Sequence, residues 1–391
     1  MKRLYICLIL MGLGNLSANA DSYNIFIPDE VLTSFDQLSS GQKRKYCKAR
    51  GNFVFEQLLE ATGNPPKRIK GFNSAMSNTG KVEGAGQTTS FTTRMSEAVT
   101  DALVTSKSDN KEIALNALSS WAESNALVDT PNCFDDNNCG SYWAKGDPNG
   151  NKPYKGHDFT TAQLALNHLA YGYFFSLAAF KPDDVRHEKI KNWLTRGLKR
   201  SAWKKTSDYY PRQDSSFTWN ILMLQEIEGK VDKRIIGNLI KASEKVLNDD
   251  GSIEKATTRG VKAIWYHNIT LNEIMINMEI ARKYGVEIPS ALEKKVEKAA
   301  NLFVTGWSDH SYMDKWARVA YNRPFKAGKQ DIQSDISKIL SGTSWWNIFQ
   351  YRYPKSDTSK KLADLLKGKK NQSLDASVGI GLGCVYKTLL N

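Results

Sequence analysis

The stretch TTAQLALNHLAYGYFFSLAAF, residues 160–180, carries leucine, alanine and aromatic side chains at the three- and four-residue spacing of a helix face. Apolar residues that recur with this period predict an amphipathic helix with a wide buried face. The same period returns in many other segments, and no strand-like alternation separates them. These segments are 52–61, 93–104, 111–124, 184–200, 215–228, 233–247, 266–284, 290–304 and 360–366.

Turn residues lie where these helices should end. Gly63, Gly229, Gly285 and the pair Asp250-Gly251 each follow a periodic segment, as expected of a residue that readily adopts the left-handed backbone of a helix end. No Pro/Ser linker or low-complexity spacer divides the chain. Long amphipathic helices joined by short turns predict an all-α protein of helical hairpins packed side by side. We expect one domain over residues 21–391.

One segment is too polar for a buried helix. Residues 73–90 are rich in Gly, Ser, Thr and Asn. Two interpretations remain open for this segment, a lid over a cleft and an ordinary surface loop.

The N-terminus has the pattern of a secretory signal peptide over residues 1–20. Lys2 and Arg3 form a charged region, residues 4–13 form an apolar run too short to span a bilayer, and an A-x-A cleavage motif ends at Ala20. We therefore expect a periplasmic or secreted protein without a membrane helix.

Four cysteines remain after removal of this segment, an even number that permits two disulfides in an oxidising compartment. Cys133 and Cys139 flank the polar loop FDDNN, which favours a local bridge. Cys47 and Cys384 would then join the N-terminal helix to the C-terminus. A cysteine-rich metal site is the alternative, but the chain has no CxxC pair and its histidines lie far from the cysteines. We expect no metal and no other cofactor.

The charge balance points to an anionic partner. The formal net charge is +13, and loss of Lys2 and Arg3 leaves +11 on the mature chain. Excess Lys and Arg favours binding of a polyanion. Export argues against nucleic acid as the partner. The sequence has no compact basic helix of the kind that binds a membrane surface. The expected partner is an acidic polysaccharide, bound by a monomer.

Two motifs contain the residue types that β-elimination of a uronic acid polymer requires. Asn167 and His168 lie on the helix of 160–180, and Arg259 precedes Tyr266 by seven positions in RGVKAIWYHN. Removal of the C5 proton needs donors aimed at the C6 carboxylate, where negative charge accumulates. It also needs a base for C5 and an acid for the departing O4.

LNHLAYGYF (166–174) and RGVKAIWYHN (259–268) resemble the two motifs of the alginate lyase family, helical-toroid enzymes that act on mannuronate-rich polymers. The resemblance is clearest over about residues 85–320. It departs from the commonest form at Leu166 and Gly172, where many relatives carry Asn and Trp. The resemblance implies an (α/α) toroid, or incomplete barrel of helical hairpins. It also implies cleavage of a β-1,4-linked uronate polymer, leaving 4,5-unsaturated ends.

The resemblance also implies roles for four residues. Asn167 would hydrogen-bond the substrate carboxyl group, and His168 would share that role when protonated or act as a base when neutral. Arg259 would pair with the uronate carboxylate. Tyr266 would be the acid toward the bridging oxygen and, in a syn elimination, also the base.

Further candidates surround these four residues. Tyr171 and Trp265 are predicted to contact sugar faces, and Arg352, within TSWWNIFQYRYP at 343–354, is predicted to extend the binding surface. His267 and Asn268 complete the second motif and are expected to be buried hydrogen-bonding residues.

Two other functions stay open at this point. A toroid glycoside hydrolase needs two carboxyl groups across a sugar, and Asp158, Asp214, Glu226 and Asp250 are available, although no spacing singles out a pair. A non-catalytic periplasmic binder of an anionic polysaccharide would use the same carboxylate-binding residues. The chain contains no GxSxG, Walker, dinucleotide-binding or HExxH motif, so serine-nucleophile and zinc-protease chemistry lack support.

Overall fold

The computed structural model describes residues 23–47, 52–71, 82–105, 107–135, 156–202, 211–318, 329–330, 340, 342–367 and 374–390. Within these ranges the chain forms fifteen α-helices and no β-strand, with isolated bridges at Lys70–Glu83 and Leu247–Ile253. The all-α prediction is therefore confirmed. Residues 1–22, which include the predicted signal peptide, lie outside the described ranges.

The helices are numbered here in chain order. They are α1 (Asp29–Asp36), α2 (Ser40–Tyr46), α3 (Asn52–Thr62), α4 (Ala85–Val104), α5 (Ser108–Glu123), α6 (Gly156–Gly172), α7 (Arg186–Lys199), α8 (Pro211–Ile227), α9 (Lys233–Val246), α10 (Ala263–Lys283), α11 (Ser290–Ser308), α12 (Asp314–Ala317), α13 (Trp345–Arg352), α14 (Asp357–Leu366) and α15 (Leu382–Leu389).

Alternate helices form an inner ring. Helix α4 packs on α6, α8 on α10, α10 on α13 and α13 on α15, while α2 connects α15 back to α4. Side-chain hydrogen bonds described below join α6 to α8. The helices α5, α7, α9, α11 and α14 pack outside this ring, each against inner helices. This arrangement is the predicted (α/α) toroid of helical hairpins.

Helix α10 lies at the centre of this packing. Every residue from Thr270 to Ala281 is buried, so the helix has no solvent-facing side along these three turns. Its polar side chains are satisfied by neighbouring helices: Trp219 donates to Asn277 Oδ1 at 2.9 Å, and Trp345 donates to Asn268 Oδ1 at 2.7 Å. The interior of the ring is therefore filled with protein at this level.

A disulfide joins the two ends of the ring. Cys47, at the end of α2, is bonded to Cys384 in α15, the pairing expected to tie the N-terminal helix to the C-terminus. Cys133 is also disulfide-bonded, while Cys139 lies outside the described residues, so the pairing of these two stays a prediction. None of the helices in the described part of the chain is long and apolar enough to cross a membrane.

The structure corrects part of the predicted loop at 73–90. Helix α4 begins at Ala85, after Gly84 with a left-handed φ of 75°. The polar residues at its start are compatible with a helix because Thr88 donates its hydroxyl to the carbonyl of Gly84 at 2.7 Å. Residues 72–81 lie outside the described ranges.

Candidate active site

The second motif forms the turn into α10. Residues Gly260–Lys262 make one turn of 3-10 helix and α10 begins at Ala263, so Arg259 precedes the helix and Tyr266 lies in its first turn. The guanidinium carbon of Arg259 lies 4.5 Å from the centre of the Tyr266 ring. A cation at this distance from an aromatic face is attracted to it. The motif spacing thus brings the cation and the phenol together.

Arg259 is held in this place by its own loop. Its Nε donates to the carbonyl of Lys255 at 2.7 Å. Lys255 has a φ of 59°, a left-handed conformation that is uncommon for a residue with a side chain. The hydroxyl of Thr257 accepts from the amide of Ile253 at 2.7 Å and closes the turn. The loop therefore orients the guanidinium before any substrate arrives.

His267 is a buried hydrogen-bonding residue, as expected. Its Nε2 lies 2.9 Å from the carbonyl oxygen of Ala299 and its Nδ1 lies 2.9 Å from the hydroxyl of Thr257. A carbonyl only accepts, so Nε2 carries the proton and Nδ1 accepts from Thr257. Burial lowers the pKa of His267 to about 4, against the opposing effects of the Ala299 bond and of Asp250. The ring is therefore neutral near pH 7.

Two neighbours complete this end of α10. Gln330 accepts from the amide of Ile264 at 3.0 Å and donates to the carbonyl of Gly260 at 2.9 Å, which caps the start of the helix. Sequence reasoning missed Gln330, because no motif links it to a turn about seventy positions earlier. Trp265 packs edge-on against Tyr266 at 4.7 Å and keeps 39% of its surface exposed. This exposure is compatible with its predicted contact to a sugar.

The first motif is buried between α6 and α8. Asn167 is fully buried; its Oδ1 accepts from Gln163 at 2.7 Å and its Nδ2 donates to the hydroxyl of Ser216 at 2.9 Å. Tyr171, one turn later, is also fully buried and donates to Asn220 Oδ1 at 2.5 Å. Burial raises the pKa of Tyr171 well above its usual value.

These contacts bear on two predictions, which stay predictions. Asn167 is buried and bonded to α8. Tyr171 has no exposed face on which a sugar ring could stack. Both residues instead join two inner helices of the ring.

His168 lies half-buried beside the C-terminal loop that precedes α15. Gly379 in this loop has a φ of 67°, and a Cβ added to it would lie 2.5 Å from the Cβ of His168. Ser377 in the same loop donates to Glu273 on α10, and Asn272 donates to Asp375 at 3.0 Å. The loop therefore packs His168 close to the buried, polar part of α10.

Hydrogen bonds fix the relative direction of the inner helices. Helix α8 bonds α10 first through Trp219 and Asn277, then through Glu226 and Tyr284 at 2.8 Å. Both residue numbers increase together, so α8 and α10 run parallel. The hydrogen-bonded pairs Asn167–Ser216 and Tyr171–Asn220 show that α6 and α8 also run parallel.

This register places the two motifs at different depths in the ring. Asn167 is level with the part of α8 that bonds Asn277, and His168 is close to the loop that bonds Glu273. Tyr266 precedes Glu273 by seven residues and Asn277 by eleven. At 1.5 Å per residue, Tyr266 lies about 10–16 Å away along the helix axis. The contacts of the first motif therefore lie at a different level of α10 from Tyr266, and the joint catalytic role of the four residues stays a prediction.

Arg352 lies at the opposite end of α10. Its Nη2 is 2.6 Å from Glu279 Oε2 and 3.3 Å from Glu30 Oε1. Glu279 is thirteen residues beyond Tyr266, which is about 20 Å along the helix. Its guanidinium is engaged by these carboxylates far from the second motif, and its predicted contact with substrate stays a prediction.

Three of the four carboxylates considered for hydrolysis accept hydrogen bonds from other residues of the chain. Asp158 accepts from the amide of Gly71 at 3.1 Å, Glu226 accepts from the hydroxyl of Tyr284, and Asp250 accepts from Ser252. No group of three His, Cys, Asp or Glu residues in the described ranges is arranged to hold a metal ion.

Solved structures with a similar arrangement include those of alginate lyase A1-III. The chain is 14% identical to alginate lyase A1-III from Sphingomonas species A1, with a TM-score of 0.59, over 94% of this chain and 97% of that one. A tyrosine-to-phenylalanine variant of A1-III complexed with tetrasaccharide is 15% identical to this chain, with a TM-score of 0.59. The match covers 94% of this chain and 97% of that one. A histidine-to-alanine variant of A1-III complexed with tetrasaccharide is 13% identical to this chain, with a TM-score of 0.51. The match covers 77% of this chain and 78% of that one.

Sequence comparisons find no such relative. No family model matches the chain, and no curated protein matches it by sequence. At 13–15% identity the structural likeness establishes the fold alone, and it confirms the (α/α) toroid.

Proposed function

We propose that this chain is an exported polysaccharide lyase that cleaves a β-1,4-linked uronic acid polymer, mannuronate-rich alginate, by β-elimination. The observation that carries the proposal is the contact between Arg259 and Tyr266 at the start of α10. It lies within a toroid whose solved counterparts are alginate lyases. Export rests on the signal pattern of residues 1–20.

The pair suits an elimination in which one phenol performs both proton transfers. The Tyr266 phenolate takes the C5 proton, the electrons of that C–H bond form the C4–C5 double bond, and the C4–O4 bond breaks. The same phenol then returns the proton to O4, so no proton is gained or lost by the enzyme. The adjacent Arg259 guanidinium supplies positive charge for the uronate carboxylate as the enolate forms.

We assign the proton transfers to Tyr266 rather than to His168. The axial separation of the two motifs is one reason. The spacing in A1-III is another: the histidine and the tyrosine replaced in its tetrasaccharide complexes are 54 positions apart, whereas His168 and Tyr266 are 98 apart. His168 is therefore not the expected counterpart of that histidine, and we place Asn167 and His168 outside the reaction centre.

The substrate class follows from charge and surface. The mature chain carries a net charge of +11, which favours an anionic polymer, and Trp265 offers an exposed aromatic face next to Tyr266. Aromatic faces combined with cations suit a sugar chain that bears one carboxylate per unit.

The test is incubation of the purified protein with separate polymannuronate, polyguluronate and polyglucuronate while ultraviolet absorbance is recorded. A lyase produces a conjugated double bond, and we expect the fastest rise with polymannuronate. Release of reducing ends without absorbance would identify a hydrolase. Saturable binding with neither product would identify a non-catalytic binder.

A further inference from the structure

We propose that Thr257 and His267 are positioning residues that latch the Arg259 loop onto α10 and so set the contact between Arg259 and Tyr266. The inference rests on the proposed function for its kinetic consequence. The latch itself is a structural statement, and it can be tested without any activity.

The first half of the latch closes the loop on itself. The hydroxyl of Thr257 accepts from the amide of Ile253 at 2.7 Å, and the amide of Thr257 donates to the carbonyl of Ile253 at 2.9 Å. Thr257 is fully buried. Because Arg259 follows two residues later, its backbone position is set by this closed turn.

The second half ties the turn to the helix. The Thr257 hydroxyl donates its proton to Nδ1 of His267, and Nε2 of His267 donates to the carbonyl of Ala299 on α11. The Thr257 hydroxyl and the His267 ring therefore each accept one hydrogen bond and donate one. His267 is fully buried, so water cannot substitute for either bond. The series of hydrogen bonds from the amide of Ile253 to the carbonyl of Ala299 therefore runs from donor to acceptor throughout: Ile253 donates to Thr257, Thr257 donates to His267, and His267 donates to Ala299.

The latch acts where the active pair needs it. Thr257 is two residues before Arg259, and His267 is the residue after Tyr266, so their hydrogen bond joins the two segments beside the cation–ring contact. The loop also holds Lys255 in a left-handed conformation. Such a conformation persists only where surrounding contacts fix it. The carbonyl of that residue is the acceptor for Arg259.

The kinetic test removes one hydroxyl and then restores it. Thr257→Val keeps the shape but breaks the chain, and we expect kcat to fall roughly 10–100-fold, since a misplacement of about 1 Å costs that much. Thr257→Ser keeps the hydroxyl and should retain turnover within about threefold. The control is Thr100→Val, because Thr100 is equally buried on α4 and bonds only the carbonyl of Ser96. Wild-type turnover in Thr257→Val would overturn the proposal.

A double-mutant cycle separates positioning from general destabilisation. If Thr257 acts through Arg259, Thr257→Val should not lower the turnover of an Arg259→Ala protein further. A loss of the same factor in both backgrounds would mean that Thr257 does not act through Arg259.

The third measurement needs no lyase activity. The Nε–H signal of Arg259 in ¹⁵N-labelled protein is assigned by its disappearance in Arg259→Lys. We expect slow hydrogen exchange in wild type, in Thr257→Ser and in Thr100→Val, and fast exchange in Thr257→Val. Unchanged exchange in Thr257→Val would refute the latch. Absence of activity from wild type, with exchange as expected, would refute only the proposed function.

Discussion

The two ends of α10 use the same residue types in opposite ways. At its start, Arg259 lies on the ring of a half-buried tyrosine, and Trp265 is partly exposed. Near its end, the fully buried carboxylate of Glu279 accepts from Arg352, Arg282 and the hydroxyl of Tyr386. Arginine and tyrosine therefore meet at both ends, and the second set surrounds a fully buried carboxylate.

The two ends differ as a structural cluster differs from a reactive one. A buried charge must be matched by opposite charge and hydrogen bonds, and the Glu279 cluster meets that need. At the start of α10, a cation and a phenol are held by a strained loop beside an exposed aromatic face. Strained backbone of this kind clusters at ligand-binding and active sites, so the start of α10 is where a ligand is expected to bind.

The largest expected effect is at Tyr266. Tyr266→Phe removes one oxygen and keeps the ring against Arg259, so the leaving O4 loses its proton donor. We expect kcat on polymannuronate to fall about 10²–10⁴-fold, with substrate binding nearly unchanged. The measurement is the initial rate of ultraviolet absorbance at several substrate concentrations.

The matched control lies at the other end of the helix. Tyr284→Phe deletes the same oxygen from a tyrosine that donates to Glu226, and kcat should stay near the wild-type value. A folded Tyr266→Phe protein that keeps more than about a tenth of wild-type turnover would show that Tyr266 is not the proton-transfer residue.

Sequence predicted well what depends on local spacing. Helical periodicity identified the all-α class, because each inner helix buries a face that recurs every three to four residues. Arg259 and Tyr266 were placed together correctly, because seven residues of turn and helix leave few other arrangements. The buried, hydrogen-bonded state of His267 is likewise predictable, since His267 follows Tyr266 on the face of α10 turned toward α11.

What the sequence could not predict depends on contacts between distant residues. Asn167 lies on a helix as predicted, but the register of α6 against α8 and α10 decides its depth, and no local pattern encodes that register. Arg352 belongs to a motif rich in aromatic and basic residues, yet its partner Glu279 is 73 positions away. Composition alone cannot distinguish a substrate-binding surface from an ion-pair cluster, because the partners of each charged residue are not known.

The second prediction breaks the cluster at the far end. Arg352→Ala leaves Glu279 buried with fewer partners, and we expect the free energy of unfolding to fall by about 3 kcal/mol, near the low end of the usual range because Arg282 remains. Turnover per folded molecule should not change. Urea unfolding and active-site kinetics measure the two quantities.

Arg259→Ala is the reciprocal variant. It should lower kcat and weaken substrate binding while changing the unfolding free energy by less than Arg352→Ala does, because Arg352 neutralises the fully buried carboxylate of Glu279. If Arg352→Ala lowered turnover more than Arg259→Ala, the assignment of the two ends would be reversed.

The third prediction concerns pH. Because the pKa of His267 is about 4 in the folded chain and about 6.5 when unfolded, only the unfolded state gains a proton between these values. Stability is thus unaffected above pH 7 and falls as pH decreases from about 6.5 to 4. From pH 8 to pH 5 the loss is about 2 kcal/mol.

Urea unfolding at both pH values measures this loss, and His267→Gln should lack it. An NMR titration of the His267 ring gives an independent check. A midpoint near 6.5 in the folded protein would contradict the buried, neutral imidazole.

The smallest expected effect tests the exposed face at the start of α10. Trp265→Ala should remove a stacking surface worth about 1 kcal/mol, which corresponds to a roughly fivefold rise in KM. Because Trp265 does not take part in proton transfer, kcat should stay within about twofold. Leu59→Ala is the control, since Leu59 is an exposed apolar residue on α3 and its loss should change neither constant. A fall in kcat without a change in KM would mean that Trp265 supports the Tyr266 ring, which it contacts edge-on, and does not bind the sugar. The start of α10 would then be a rigid catalytic pair whose sugar contacts come from other parts of the ring.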